Sequence, residues 1–399
     1  MGKEFIQTIK WKLFHVFLSL KVWQIRKKGL IRFGFLLQEL AQWKSESLYQ
    51  AMLVHPRFDP VLCISPCLEC PGAENRLIEY CIRKGYDYIL LDPDQNIENQ
   101  VKIDIALPEK PYRSQIHDAH RIEKNWSIPF VVIPYFLSTI TEDWVVNQRP
   151  SLLCWRQFVD NESCRVAWAK IHRLNGLNYV VTGLPVMDEL LTPKEGLPDV
   201  WPVTDGRKRI IYAPHHTVSD LHMEGIGYST FLDYCDAMLE LRDKYKNQVY
   251  FVFKPHPSLR GKLLKLWGEK QTDAYYQRWE CPSVSHVEQG AYLSLFKYSD
   301  AMIHDCGSFT VEYMYMDNPV MYLVRGESHT TNMIPYAKEA FDLHYKGKSV
   351  ADIERFILDV IEGNDPLKAR RTTFKQHHLL PPNGRSACEN IIHSILGDR

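Results

Sequence analysis

Three short stretches of the 399-residue chain end an apolar run on groups that bind oxyanions or move protons. Residues 209–213 (Arg-Ile-Ile-Tyr-Ala) run into Pro214, His215, His216 and Thr217, and residues 249–253 (Val-Tyr-Phe-Val-Phe) run into Lys254, Pro255, His256 and Pro257. Residues 301–303 (Ala-Met-Ile) end in His304 and Asp305, turn at Gly307, and resume with Ser308, Thr310 and Glu312 at helical spacing. Among these side chains only imidazole changes charge near neutral pH unaided, while lysine supplies a fixed positive charge. Small hydroxyl residues at a helix start add donors to the unpaired backbone N–H groups there, an arrangement suited to phosphate. Ser and Thr are also ordinary helix caps, so the last stretch reads equally as a capped helix.

The chemistry requires the three ends to meet. Each apolar run has the length of a buried strand, and in an open parallel sheet ligands collect at the carboxyl ends of strands. One sheet built from these runs predicts one site containing His215, His216, Lys254, His256, His304, Asp305, Gly307, Ser308, Thr310 and Glu312. Such a set would stabilise charge on a pyrophosphate and take a proton from an attacking hydroxyl, without needing a metal.

The order of the motifs resembles one family. Y-A-P-x-x at 212–216, K-P-H-P at 254–257 and D-x-x-S at 305–308 with a following acidic residue are similar to the CDP-glycerol glycerophosphotransferases that polymerise teichoic acids and capsules. Residues 182–188 (Thr-Gly-Leu-Pro-Val-Met-Asp) look like that family's T-G-x-P-x-x-D segment near the end of its first domain. The resemblance is good over residues 180–325 and loose in the amino-terminal half. It implies an α/β fold of GT-B type, two Rossmann-like domains facing a cleft. It also implies transfer of a glycerophosphate, or a related polyol-phosphate, from a CDP-linked donor to a glycan or polymer acceptor in capsule or cell-wall biosynthesis, with no cofactor. By resemblance His256 and Ser308 contact the donor phosphates. Thr310 joins them by its place at the helix start, and Glu312 could accept from the ribose hydroxyls, although a first-turn Glu also suits the helix dipole.

One departure concerns the base. The polymerases carry it in an H-G-T-P segment, and the corresponding residues 133–139 (Ile-Pro-Tyr-Phe-Leu-Ser-Thr) contain no histidine. His215 and His216 are the substitutes, and alternation along an extended segment would put them on opposite sides. Tyr135 would need its pKa lowered by about 3 units to serve. Two other functions remain open at this point. One is a GT-B enzyme acting on a nucleotide sugar, including an epimerase resembling the UDP-N-acetylglucosamine epimerases, whose D-S-G-G turn is not unlike residues 305–308. The other is a non-catalytic relative that binds nucleotide or glycan.

The elements that must position these groups alternate along the chain. Strands are expected at 31–37, 60–64, 88–91, 128–133 and 179–181, with helices at 40–54, 75–84 and 166–174. Residues 191–207 crowd Pro193, Gly196, Pro198, Pro202 and Gly206 and mark a linker. Beyond it come helices at 229–245, 261–270, 290–298, 351–362 and 387–396 around the strands already named. Strand–helix alternation means parallel sheets with right-handed crossovers. The organisation expected is a basic amphipathic helix at 1–29, an acceptor domain at 30–195 and a nucleotide-donor domain at 205–380. A last helix at 381–399 crosses back to the first domain, by resemblance.

Composition bounds the rest. With 45% hydrophobic and 24% charged residues the chain is globular and long enough for two domains. Its net charge of zero is uneven: eight of the 48 basic residues and one of the 48 acidic ones lie in 1–32, so the remainder nets about −7 by subtraction. No basic stripe recurs in the body, which argues against nucleic acid. Residues 4–25 are apolar and aromatic but interrupted by Lys10, Lys12 and Lys21, too broken to span a bilayer. They suit either the anionic inner face of a bacterial membrane, giving a cytoplasmic, peripheral enzyme, or the protein's own body. The ten cysteines suit reduced thiols, and Cys63, Cys67 and Cys70 have the C-x3-C-x2-C spacing of radical-SAM clusters. Glu69 stands where that family usually has an aromatic residue, so a plain strand-to-helix loop is the preferred reading.

Overall fold

The computed structural model describes residues 2–68, 70–113, 115–134, 136–219, 227, 229–288, 292–326, 330 and 332–397, with the side chains of 2–5, 41 and 195 excepted. Tyr135 and Glu69 lie outside the described residues. The chain forms two compact units, Met1–Asp188 with Leu380–Arg399, and Glu189–Leu379.

The first unit is built on parallel strands. β1 (Ile31–Leu37), β2 (Phe58–Ile64), β3 (Tyr88–Leu90) and β4 (Ile105–Pro108) form a sheet in the order β3-β2-β1-β4. β5 (Val131–Val132), β6 (Arg156–Val159) and β7 (Tyr179–Val181) form a second sheet in that order, joined to the first by a parallel bridge between Ala106 and Phe130. The strand expected at 128–133 contracts to two residues, and β4 and β6 were not anticipated, because a four-residue run is too short to show a period.

The amino-terminal helix α1 (Gly2–Ile25) lies on this unit. His15, Leu18, Val22 and Ile25 are buried, and Trp11 and Phe14 pack on the core around Leu36, Val61 and Phe130. His15 Nε2 donates to the carbonyl of Leu152 at 2.8 Å. The opposite face stays outside: Ile6, Ile9, Leu13, Val16, Leu20 and Trp23 are each 42–65% exposed. The reading of residues 4–25 as a helix on the protein's own body therefore holds for one face, and the other face is exposed.

The last helix also joins the first unit. Its N-terminus is closed by a capping box between Ser386 and Glu389, and the Asp188 carboxylate accepts the N–H groups of Ala387 and Cys388 at 2.8 and 3.0 Å. At its other end the Arg26 guanidinium donates to the carbonyls of Ser394 and Ile395. The boundary between units falls at residue 188, earlier than the linker composition suggests. The reason is packing: Trp201 Nε1 donates to Leu295 and Lys297 Nζ to the Leu190 carbonyl, so residues from 189 onward belong to the second unit.

The second unit has six parallel strands, β8 (Lys208–Ala213), β9 (Val249–Phe253), β10 (Ser285–Val287), β11 (Ala301–His304), β12 (Val320–Leu323) and β13 (Tyr345–Gly347), in the order β10-β9-β8-β11-β12-β13. This is the doubly wound order, and its direction reverses between β8 and β11, where ligands bind in such sheets. The register makes the site possible. Ala213 pairs with His304 and Tyr212 with Phe253, so the three strands end level and their loops leave side by side. Beneath them Tyr212, Phe253 and Trp279 stack as buried rings, Phe253 and Trp279 with centroids 5.0 Å apart, a rigid floor for the loops.

Candidate active site

Asp305, immediately beyond β11, holds the loops together. It is fully buried, and its Oδ1 accepts the backbone N–H of His215 at 2.5 Å. Its Oδ2 accepts the N–H and hydroxyl of Thr230, at 2.6 and 2.9 Å, just ahead of the helix α2 (Phe231–Tyr245, numbered after α1). Burial pushes the carboxyl up to about 6 against the pull of these donors. Asp305, expected among the donor-binding residues, is thus buried and engaged with the loops, and shapes the site from below.

Three more sequence candidates take supporting places. His304 is fully buried; its Nδ1 accepts the Cys306 N–H at 3.1 Å, and burial pushes its pKa down to about 3. Thr310 is fully buried, with its hydroxyl turned back to the Cys306 carbonyl at 3.2 Å. Glu312 is 4% exposed and accepts from the Tyr292 hydroxyl. The helix they begin, α3 (Phe309–Glu312), has four residues before it tightens into a 3-10 turn, too short to carry the dipole argument. What remains accessible here is Gly307 and Ser308, both half-buried, and the Ser308 hydroxyl makes no hydrogen bond among the described residues.

The histidines converge. Ring centroids lie 4.3 Å apart for His215 and His216, 4.2 Å for His216 and His256, and 5.2 Å for His215 and His256. The expectation that His215 and His216 face opposite sides is overturned, because the chain stops being extended after Ala213. Asp305 accepts the N–H of His215 and the Ser229 hydroxyl donates to its carbonyl, and this turn brings both rings to one side. The backbone N–H of His256 donates to Pro214, which brings the third ring beside them. Lys254, 8% exposed, points its ammonium over the Tyr292 ring, 6.0 Å from its centroid.

One nitrogen of each triad ring is a candidate for metal binding, and these atoms lie within 4.8 Å of one another. The hydrogen bonds favour an anion instead. A metal-bound histidine normally donates its other N–H to an acceptor. His256 Nδ1 does the reverse and accepts the Ser258 N–H at 3.1 Å, which leaves the proton of the neutral ring on Nε2. His215 Nδ1 is held by the Thr217 hydroxyl at 3.0 Å. Burial and neighbouring positive groups push His215 down to about 2 and His256 to about 4, with the Lys254 charge among the causes for His256. The result is a half-buried nest of three rings, two of them held neutral by burial, beside the Lys254 ammonium.

Sequence reasoning missed Thr217, Thr230 and Tyr292, which fix His215, Asp305 and Glu312, because nothing in their spacing signals a long-range partner. It also missed His120 in the first unit, which is buried, donates from Nε2 to the Asp92 carbonyl and accepts the Ser65 hydroxyl at Nδ1. That bond ties the end of β2 to the loop after β3. Cys63, Cys67 and Cys70 do not gather as a metal set among the described residues; Cys63 lies in β2, where burial pushes its thiol up to about 12.

Two parallel, doubly wound units define a protein of the GT-B class. A sequence profile of the CDP-glycerol:poly(glycerophosphate) glycerophosphotransferases matches residues 155–395, and the chain belongs to this family. Membership makes it an enzyme that transfers glycerophosphate. No curated protein matches the sequence. Among solved structures, a variant of the wall teichoic acid polymerase TagF is similar in fold, with a TM-score of 0.62 at 11% identity over 100% of this chain and 97% of that one. UDP-N-acetylglucosamine 2-epimerase from Neisseria meningitidis, bound to UDP-GlcNAc, gives 0.57 at 15% identity over 92% and 100%. A putative UDP-N-acetylglucosamine 2-epimerase from Listeria monocytogenes gives 0.57 at 14% over 92% and 96%. No described helix is long and apolar enough to cross a membrane.

Proposed function

We propose that the second unit binds CDP-glycerol with its pyrophosphate in the nest of His215, His216 and His256. The observation that carries this is the convergence of the three rings on one point, with His256 presenting an N–H. Lys254 supplies positive charge at the rim, and the Ser308 hydroxyl with the Gly307 turn adds donors. An acceptor hydroxyl attacks the phosphorus that carries glycerol, the bond from that phosphorus to the bridging oxygen breaks, and CMP leaves. The His256 N–H and the Lys254 ammonium stabilise the charge that builds on the departing phosphate, with no metal ion required.

The proton of the attacking hydroxyl goes to His216. A base must end the step protonated, and His215 is driven to about 2 by burial and its two neighbours, so it stays neutral and holds the site's shape. The acceptor is a glycan or polyol-phosphate polymer of capsule or wall. The exposed face of α1, apolar and edged by Lys10 and Lys12, supports a peripheral position on an anionic membrane face.

Nucleotide release from CDP-glycerol, CDP-ribitol and UDP-N-acetylglucosamine, each with and without chelator, tests the proposal. CMP release from CDP-glycerol that survives the chelator is the expected result. Release of UDP, epimerisation of the UDP-sugar, or activity lost to chelation would overturn it.

A further inference from the structure

Beside α1, on the first unit, runs a groove of about 650 Å³ that none of the transfer chemistry uses. Its walls are Val16, Leu20 and Trp23 of α1 and Leu177 from the loop before β7. The same groove is lined by two cations, Lys12 and Arg156, and by no carboxylate. Arg156 opens β6 and is half-buried, and among the described residues its guanidinium has no acidic partner, only the face of Trp155 at 5.3 Å. Trp155 lines the groove too, and its indole N–H, buried, finds no acceptor among the described residues.

A half-buried guanidinium without a counter-ion is costly to keep. Here its surroundings make matters worse, since burial and the nearby charge of Arg26 both press its pKa down. The neighbouring His15 offers no relief, being neutral and committed to Leu152. An anion placed between Arg156 and Lys12 would satisfy the guanidinium. The rest of the wall is apolar, so the anion that fits should carry a hydrocarbon chain. Three of the groove's apolar residues, Val16, Leu20 and Trp23, also belong to the exposed stripe of α1, so a chain seated there would continue onto the face proposed to meet the membrane.

We propose that this groove seats a phosphate-bearing membrane lipid, its phosphate on Arg156 and Lys12 and the start of its tail against Val16, Leu20, Trp23 and Leu177. The site rests on the membrane-face reading of α1 and adds a specific lipid contact to it. It would hold the protein by one lipid at a time.

The test uses the full chain and a lipid that needs no membrane, dihexanoyl phosphatidic acid below its micelle concentration, followed by titration calorimetry. Inorganic phosphate carries the charge without the tail, and dihexanoyl phosphatidylcholine the tail with a zwitterionic headgroup. Phosphatidic acid should bind at least tenfold more tightly than either control, and Arg156→Gln and Lys12→Gln together should weaken it at least tenfold. CDP binding in the second unit should be unchanged, which confirms that the variant is folded. Equal binding of inorganic phosphate, or full affinity in the double variant, would overturn the lipid site. Sedimentation with phosphatidylglycerol vesicles separates the two ideas. Wild type that sediments but ignores the soluble lipid loses the groove and keeps the membrane face, and the converse keeps the groove and loses the face.

Discussion

The carboxylate of Asp305 accepts the backbone N–H of His215 at 2.5 Å, across ninety positions of sequence, and so fixes where the histidine nest sits. Asp305→Asn turns one acceptor into a donor that faces donors. Leaving buried groups unsatisfied costs about 1–3 kcal/mol each, so the variant should lose about 2–3 kcal/mol of stability. Turnover should fall by about tenfold or more, since small misplacements of catalytic groups are costly. Denaturant unfolding and CMP release measure the two effects. Unchanged turnover would mean that the His215 loop finds its place without Asp305.

His256 and Ser308 are the two residues assigned to the donor phosphates that are both accessible and matched to the family's motifs. A lost hydrogen bond to a charged phosphate is worth about 1.5–3 kcal/mol, so His256→Ala and Ser308→Ala should each raise the Kd for CDP-glycerol about tenfold or more. Neither is fully buried, so melting temperatures should stay within a few degrees of wild type. Wild-type affinity in both would remove the donor assignment.

His215 and His216 should separate by kinetics despite sharing one nest. His216→Gln should lower kcat by about 10²-fold or more with KM little changed, the scale of a lost general base. His215→Gln should act mainly on KM and on melting temperature, because its ring is held by Thr217 and its loop by Asp305. The reverse pattern would exchange the two roles, and normal turnover in both would send the search for the base elsewhere.

The strands were legible where they were long and apolar. β1, β8 and β9 stand out as apolar runs, and the polar exits of β8, β9 and β11 announced the site. What the sequence could not convey was depth. His304, Thr310 and Glu312 have the right residue types in the right segment, yet each is buried and engaged with a neighbour. Nor could alternation foresee that the chain bends after Ala213, because the cause is a carboxylate from β11's far end. α1 shows the same limit: a helix apolar on nearly every side gives no sequence clue to which side the body takes.

The outer face of α1 can be tested without removing the helix. Deleting residues 1–28 would strip His15, Leu18, Val22 and Ile25 from the first unit, and with them the Arg26 contacts to the last helix, so the unit should unfold. Leu13→Ser with Ile9→Ser touches only exposed positions. Burying such side chains is worth about 1.5–3 kcal/mol each, so the double variant should bind anionic vesicles at least tenfold more weakly with an unchanged melting temperature. Undiminished sedimentation would refute the membrane face, and a wild-type dimer that the variant dissolves would assign the stripe to a second copy of the chain.

Stability should fall steeply on acidification, and the sign follows from which groups are shifted which way. Burial lowers His172 and His256 to about 4, His304 to about 3 and His215 to about 2. In the unfolded chain these four take up protons near pH 6.5 while the folded protein does not, so they stabilise the fold above that pH and cost stability as pH drops below it. Buried carboxyls oppose them, Asp188 among them. Burial raises Glu109 to about 7 and Asp305 to about 6, so the folded state binds two protons before the unfolded state does. Between pH 6 and 5 the unfolded chain therefore binds a net two more protons, and each is worth about 1.4 kcal/mol per pH unit. Stability should drop by about 3 kcal/mol per pH unit there, and more where His15, His120 and His344, shifted in the same direction, contribute. Binding of CDP should oppose part of the loss, because an anion in the nest raises the pKa of His256 and makes binding take up protons. Urea unfolding from pH 7.5 to 5, with and without CDP, and calorimetry in two buffers of different ionisation enthalpy measure both. A flat stability profile, or CDP binding that releases protons, would show that the rings are not the neutral nest their burial requires.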